Sequence, residues 1–332
     1  MTTRTQKAQT LVQHVSVKAN ALVRLLQLVS ALLLFAAGGV NAESKNGFDL
    51  SDSLIPAEKI KHGGPPKDGI PAIDNPKFIR ADEVDFIKPK DRVIGVFRDG
   101  VAKAYPIRIL NWHEVVNDTI GKHPIVVTYC PLCGTGMVFS TKTADGRMRF
   151  GVSGLLYNSD VLLYDRPTHS LWSQILGKAI AGPLKGLSID MLPAAHTTWR
   201  DWKRRYPETL VLTTDTGFKR KYRQSPYLDY KQSGRLMFPV KHKNRKYRNK
   251  EMVLGVSIDG ESKAYPFSEL SKYAQDRFSD TIAGQYVTIE WSKNEQYAQI
   301  LDEYGNVVPS VLGYWFAWYA FYPETKIFQA SP

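Results

Sequence analysis

The stretch at 128–139, TYCPLCGTGMVF, holds the only two cysteines of the chain, Cys130 and Cys133. Two thiols with two residues between them can be half of a metal site, a redox pair or a structural disulfide. Cys-Pro-Leu-Cys-Gly has the form of a metal knuckle, in which both thiolates face one ion and a glycine relieves the tight backbone. A thioredoxin-type pair places its first cysteine at a helix N-terminus, where the dipole lowers the thiol pKa. Here the residues after Cys133, Gly134-Thr135-Gly136-Met137-Val138-Phe139, read as a strand. Covalent c-type haem is disfavoured, because the residue after Cys133 is Gly and not His.

Two thiolates need further ligands, and His113 is the first candidate. A helix predicted over 107–117 puts His113 and Asn117 on one face, with Glu114 beside them, and the following strand returns the chain to Cys130. Three protein ligands would leave a position for water, with Glu114 as its general base. Met137 is a softer candidate that would tilt the choice from zinc to copper. His62, His123, His169 and His196 sit in loop-like contexts and rank lower. Ser153, Tyr157, Asn158, Asp165, Arg166 and Gln174 could line a polar wall, although each also suits turn chemistry.

The elements that would position these residues occur twice. RVIGVFRDGVAKAYPIRIL at 92–110 matches MVLGVSIDGESKAYPFSEL at 252–270 at ten positions. Asp118-Thr119-Ile120 is echoed by Asp280-Thr281-Ile282. Asp-Gly between alternating apolar runs signals a hairpin, and the prolines that follow suit a first helical turn. This predicts a β-rich α+β fold with two related hairpin–helix–strand units, at about 92–139 and 252–291, and a β-rich insert between them. Only the first unit has Trp112-His113-Glu114 and Cys130; the second has Lys272, Tyr273 and Ala274, and then Ser292. The chemistry is therefore expected in the first unit alone. A short helix is expected within 197–206, with Trp199 and Trp202 as a core stripe.

The N-terminal residues are basic at Arg4, Lys7, Lys18 and Arg24, with no acid before Glu43. A short apolar run at 25–37 precedes Val40-Asn41-Ala42. This is the layout of a signal peptide at 1–42, and the run is short for a membrane anchor. It predicts an exported, periplasmic or extracellular protein, with an extended segment at 43–90 and one β-rich domain at 91–325. Two cysteines cannot staple such a fold, so an apolar core must hold it. The net charge of +12 is concentrated between Lys219 and Lys250, which contains twelve Lys or Arg, one acid (Asp229) and four tyrosines. Outside the cytoplasm such a segment points to anionic lipid headgroups or an anionic envelope component rather than to nucleic acid; an unknown small molecule is a separate candidate partner that the segment does not indicate. A solvated linker would have the same composition.

With these motifs in view the chain resembles the uncharacterised domain of unknown function 3179 family. The residues that carry the resemblance are GGPPKDGIPAIDNPKF (63–78), KAYPIRILNWHEVVNDTIG (103–121), VTYCPLCGTGMVF (127–139), FGVSGLLYNSDVLLYDR (150–166), SLWSQ (170–174) and GPL (182–184). The likeness extends from about Ile55 to near Pro323, departing at the basic stretch 241–250. It implies that His113, Glu114, Asn117, Cys130 and Cys133 lie in signature motifs, and it brings no activity with it. Three functions follow from the residues: a metal-binding protein using Cys130, Cys133 and His113 with zinc or copper; a thiol–disulfide protein cycling Cys130 and Cys133; and a non-enzymatic binding module for an anionic envelope component.

Overall fold

A computed structural model describes residues 43–143 and 146–330, so the expected signal peptide at 1–42 lies outside the described residues. Among these residues the fold is β-rich, with a few short helices, the longest α-helices having seven residues. The described residues form one compact unit from Glu43 onward. Among them, no helix is long and apolar enough to cross a membrane.

The first Asp-Gly turn joins Arg92–Arg98 to Val101–Pro106, with Val93 opposite Pro106. Asp99 and Gly100 both adopt positive φ, as a two-residue hairpin loop of this type requires. A helix at Ile107–His113 follows, started by Pro106 in extended conformation. It is shorter than the sequence predicts. Glu114 turns left-handed at φ 57° and ends it, so Asn117 lies in the strand Val115–Ile120 and shares no helical face with His113. The cause is tertiary. The backbone of 115–120 pairs with His123–Cys130, and the Glu114 carbonyl accepts the Tyr129 N–H at 2.8 Å.

The second Asp-Gly turn joins Met252–Ile258 to Glu261–Pro266, with Val253 opposite Pro266. A helix at Phe267–Leu270 and the pair Arg277–Ile282 and Gln285–Ser292 follow. The same contacts recur in both places. Lys103 and Tyr105 both bond Asp118, while Lys263 and Tyr265 both bond Asp280. Trp202 lies against Gly95 and donates to Thr209, while Trp318 lies against Gly255 and donates to Thr325. Trp199 and Trp202 are both core residues of the helix Trp199–Arg205, as expected.

The first hairpin belongs to a five-stranded sheet that also includes Ala195–Thr198, Leu210–Leu212 and Phe78–Arg80. The second hairpin joins a larger sheet, in which Val311–Tyr314 connects it to Thr135–Ser140 and His123–Cys130. A further five-stranded sheet comes from the insert and includes Phe150–Tyr157, Asp160–Asp165 and Ile60–His62. Strands from the segment 43–90 are thus built into the sheets of the central chain. The main apolar cluster contains Cys130, Cys133, Phe150, Trp172, Trp315 and Trp318, which places the cysteine turn at the junction of two sheets.

Candidate metal centre

The site is made by two hairpin turns and capped by a third segment. The first turn links His123–Cys130 to Thr135–Ser140, with Cys130 opposite Thr135. Cys133 therefore sits inside the loop, and Gly134 leaves it at φ 66°. The turn is anchored from several directions. Tyr314 N–H donates to the Cys133 carbonyl at 2.8 Å. Tyr230 O–H donates to the Leu132 carbonyl at 3.0 Å. Gln174 bridges Thr128 and Thr135 on the flanking strands, at 2.8 Å each.

The second turn is Asn158-Ser159, both with positive φ, which reverses the chain between Phe150–Tyr157 and Asp160–Asp165. Its conformation is fixed from outside. The Asn158 amide donates to the Ala320 carbonyl and accepts from Lys241 N–H, and Ser159 Oγ donates to the Phe238 carbonyl. The Cys133 thiol donates to the Ser159 carbonyl at 3.3 Å, so the two turns touch.

Asp160 is the consequence of that contact. Cys130 Sγ, Cys133 Sγ and one Asp160 carboxylate oxygen, the three atoms that could share an ion, all lie within 4.8 Å of one another, on three buried residues. Both thiols are free. Asp160 Oδ2 accepts the Ile175 N–H at 3.1 Å, whereas Oδ1 is buried with no well-aligned hydrogen bond, and weak donation from the Cys130 and Cys133 thiols offsets only part of the rise that burial causes. Burial pushes the Asp160 carboxyl up to about 7 and both thiols upward. Glu114 is buried at the edge of the group and is pushed up to about 8, first by burial and further by the charge of Asp160; Tyr227 lies 3.5 Å from its Oε1. Four buried acidic groups thus converge, and none has an ion pair with a Lys, Arg or His among the described residues. Buried charge in that condition is costly unless it is protonated or meets a cation.

His113 is not part of this group, which corrects the expected ligand set. Its ring is fully buried, with Nδ1 2.8 Å from the Pro71 carbonyl and Nε2 2.6 Å from Tyr222 Oη. An Nδ1–H donor and an Nε2 acceptor satisfy both contacts, and burial lowers the histidine's pKa. The early helix end turns His113 toward Pro71 while Glu114 stays near Cys130. Asn117 is also structural: its amide donates to Asp74 and to the Phe150 carbonyl, and its oxygen accepts the Phe150 N–H. Met137 packs in the core. Ser153, Asp165 and Gln174 bond within the insert and the cysteine hairpin, so the expected polar wall is spent on the fold. His196 is not in a loop but in the strand Ala195–Thr198.

The basic segment is not a free linker either. Tyr222 and Tyr230 are buried, and Tyr227 reaches Glu114. Lys250 donates to the Tyr230 and Ser233 carbonyls and stands over the Tyr230 ring at 3.4 Å. The tyrosines turn inward over the cysteine turn, which their spacing alone could not announce. Asp160 was equally hidden in the sequence. Its one signal is an acid directly after a two-residue Asn-Ser turn, opening the apolar run Val161–Tyr164.

No curated protein and no solved structure matches the chain. The family described as "Protein of unknown function (DUF3179)" matches residues 67–307, a span that includes both turns, His113, Glu114 and the basic segment. The chain belongs to that family.

Proposed function

We propose that this is an exported metalloprotein whose ion is held by Cys130, Cys133 and Asp160, with Glu114 next to the remaining coordination position. The observation that carries this is the buried Asp160 Oδ1, without a well-aligned hydrogen bond, beside two free thiols. A divalent cation would remove the penalty of burying three acids together, and it would pull all three below the pKa values that burial alone imposes. Two thiolates and a carboxylate form a donor set suited to zinc; without histidine or methionine the case for copper weakens. Three protein ligands leave room for water or a substrate atom.

Export rests on the basic, then apolar, then small-residue order of 1–42. We further infer that the two hairpin–helix units are copies of one ancestral unit. Their shared registers and shared Lys–Asp–Tyr contacts support this, with the ion site confined to the first. A redox role is supported by the short distance between the thiols, but burial raises both of their pKa values, whereas an attacking thiol needs the opposite.

Elemental analysis and a free-thiol count on the same untagged sample test the proposal. About one equivalent of zinc is expected in the wild type. It should be lost in Cys130→Ser, lost or greatly weakened in Asp160→Asn, and kept in His113→Gln. A metal-free protein without free thiols would overturn it and leave a disulfide at Cys130–Cys133.

A further inference from the structure

Beside the cysteine turn lies a cavity of about 290 Å³, walled in part by Gly134. Tyr129, which directly precedes Cys130, and Tyr314, whose N–H donates to the Cys133 carbonyl, both line it and so join it to the cysteine turn. Arg92, His196, Lys231, Lys250 and Gln296 complete its polar lining, and no Asp or Glu lines it.

The positive charge there is poorly compensated. The Arg92 guanidinium is used by carbonyls alone, those of His196, Glu295 and Gln296. The nearby Glu295 carboxylate is held by Arg200 at 2.7 Å and by Thr198. Lys250 is likewise bonded to carbonyl oxygens. Lys231 is exposed at the rim and has no salt bridge within 4 Å among the described residues. His196 is 8% exposed, and its Nδ1 is buried with no hydrogen-bond partner. Desolvation and the charge of Arg92 both push that imidazole toward its neutral form. A cavity lined by three cations and no acid is an unsatisfied arrangement that an acceptor-rich, negatively charged ligand would satisfy. The apolar remainder of the wall, Ile107, Met252 and Phe267, suits a small organic body. A wider groove of about 720 Å³ shares Arg92, Ile107 and Lys231 with this cavity and lies toward solvent.

We propose that this cavity binds a small organic anion, with its carboxylate or phosphate head among Lys231, Arg92 and His196 and its body against Tyr129 and Tyr314. The site stands apart from the metal proposal, because it shares none of Cys130, Cys133 or Asp160. It is also a different use of the basic segment from an envelope surface: Lys231 and Lys250 line a concave volume whose size suits a small molecule.

Calorimetric titration of the full chain at low salt with inorganic phosphate, succinate and benzoate tests this. Phosphate against the two carboxylates distinguishes the head group. Saturable binding of at least one probe is expected, weakened by added sodium chloride. Lys231→Gln should reduce the affinity about tenfold, the scale of one charge-assisted hydrogen bond, and Lys231→Arg should restore most of it. His196→Gln should also weaken binding. Asp160→Asn should bind the anion as the wild type does, so failure of the metal proposal would leave this result intact. Absence of saturable binding by all three probes, or equal affinity in the wild type and the folded Lys231→Gln variant, would overturn the proposal.

Discussion

If Asp160 is buried without a cation in the metal-free protein, its ionisation must oppose folding. Burial moves its carboxyl from the ordinary 3.8 up to about 7. A group whose folded-state pKa lies above its unfolded value gives stability that is complete below the unfolded value and is lost as pH rises through the folded one. The window therefore runs from about pH 4 to pH 8. With 1.36 kcal/mol for each pH unit between the two values, the loss between pH 5 and pH 8 is roughly 2.5 kcal/mol at most, since the site can relax around the charge. The comparison is between chelator-treated wild type and chelator-treated Asp160→Asn, unfolded in urea at both pH values. The variant cannot ionise at this position, and every distant titrating group cancels in the difference. The wild type should lose stability relative to the variant on going from pH 5 to pH 8. Glu114, raised by burial and by Asp160, adds a part that the variant also removes, because the two acids act on one another. Added zinc should reverse the trend for the wild type alone, since its ligands bind only when deprotonated. Equal pH dependence in the two metal-free proteins would show that Asp160 already has a partner or water there, and the central reason for placing an ion would be gone.

Other expectations concern the frame that holds the site. Asn117→Ala leaves the buried Phe150 N–H and carbonyl without partners and should cost about 2–4 kcal/mol in urea unfolding, with zinc content per folded molecule unchanged. A Cβ on Gly95 would lie 2.3 Å from the Trp202 ring, and one on Gly255 would lie 2.3 Å from Trp318. Each Gly→Ala change should therefore destabilise by about 2 kcal/mol or more, and a neutral result at either position would refute the close packing. Asp118→Asn breaks a pair whose side chains are 11% and 9% exposed and should cost about 3 kcal/mol. Asp280→Asn, in a pair exposed at 14% and 18%, should cost less in the same assay; the reverse order would mean that burial does not set the penalty.

How far the sequence could be read depended on whether a residue's role was set locally. The Asp-Gly turns have a backbone cause that operates within four residues, so both hairpins were legible, and the strand after Cys133 followed from its composition. The helix over 107–117 was overextended because nothing local announces the left-handed Glu114. That turn is imposed by the Tyr129 N–H reaching the Glu114 carbonyl from fifteen residues away. The error carried into the site, since a helix continuing past His113 would have grouped Glu114 and Asn117 with His113 on one element, whereas Glu114 ends the helix and Asn117 lies in the next strand. The acid that does lie beside the cysteines, Asp160, is brought there by two turns that meet through the Ser159 carbonyl, a contact with no periodicity to betray it. The inward tyrosines of the basic segment were lost for a related reason. Charge composition reports what a segment shows to water, while Tyr222, Tyr227 and Tyr230 take their roles from His113, Glu114 and Leu132 on another part of the chain. A strongly basic segment can thus be a surface by composition and a lid by contact. Here the same thirty or so residues do both, closing over the thiols with tyrosines while Lys231 and Lys250 supply charge to the neighbouring cavity.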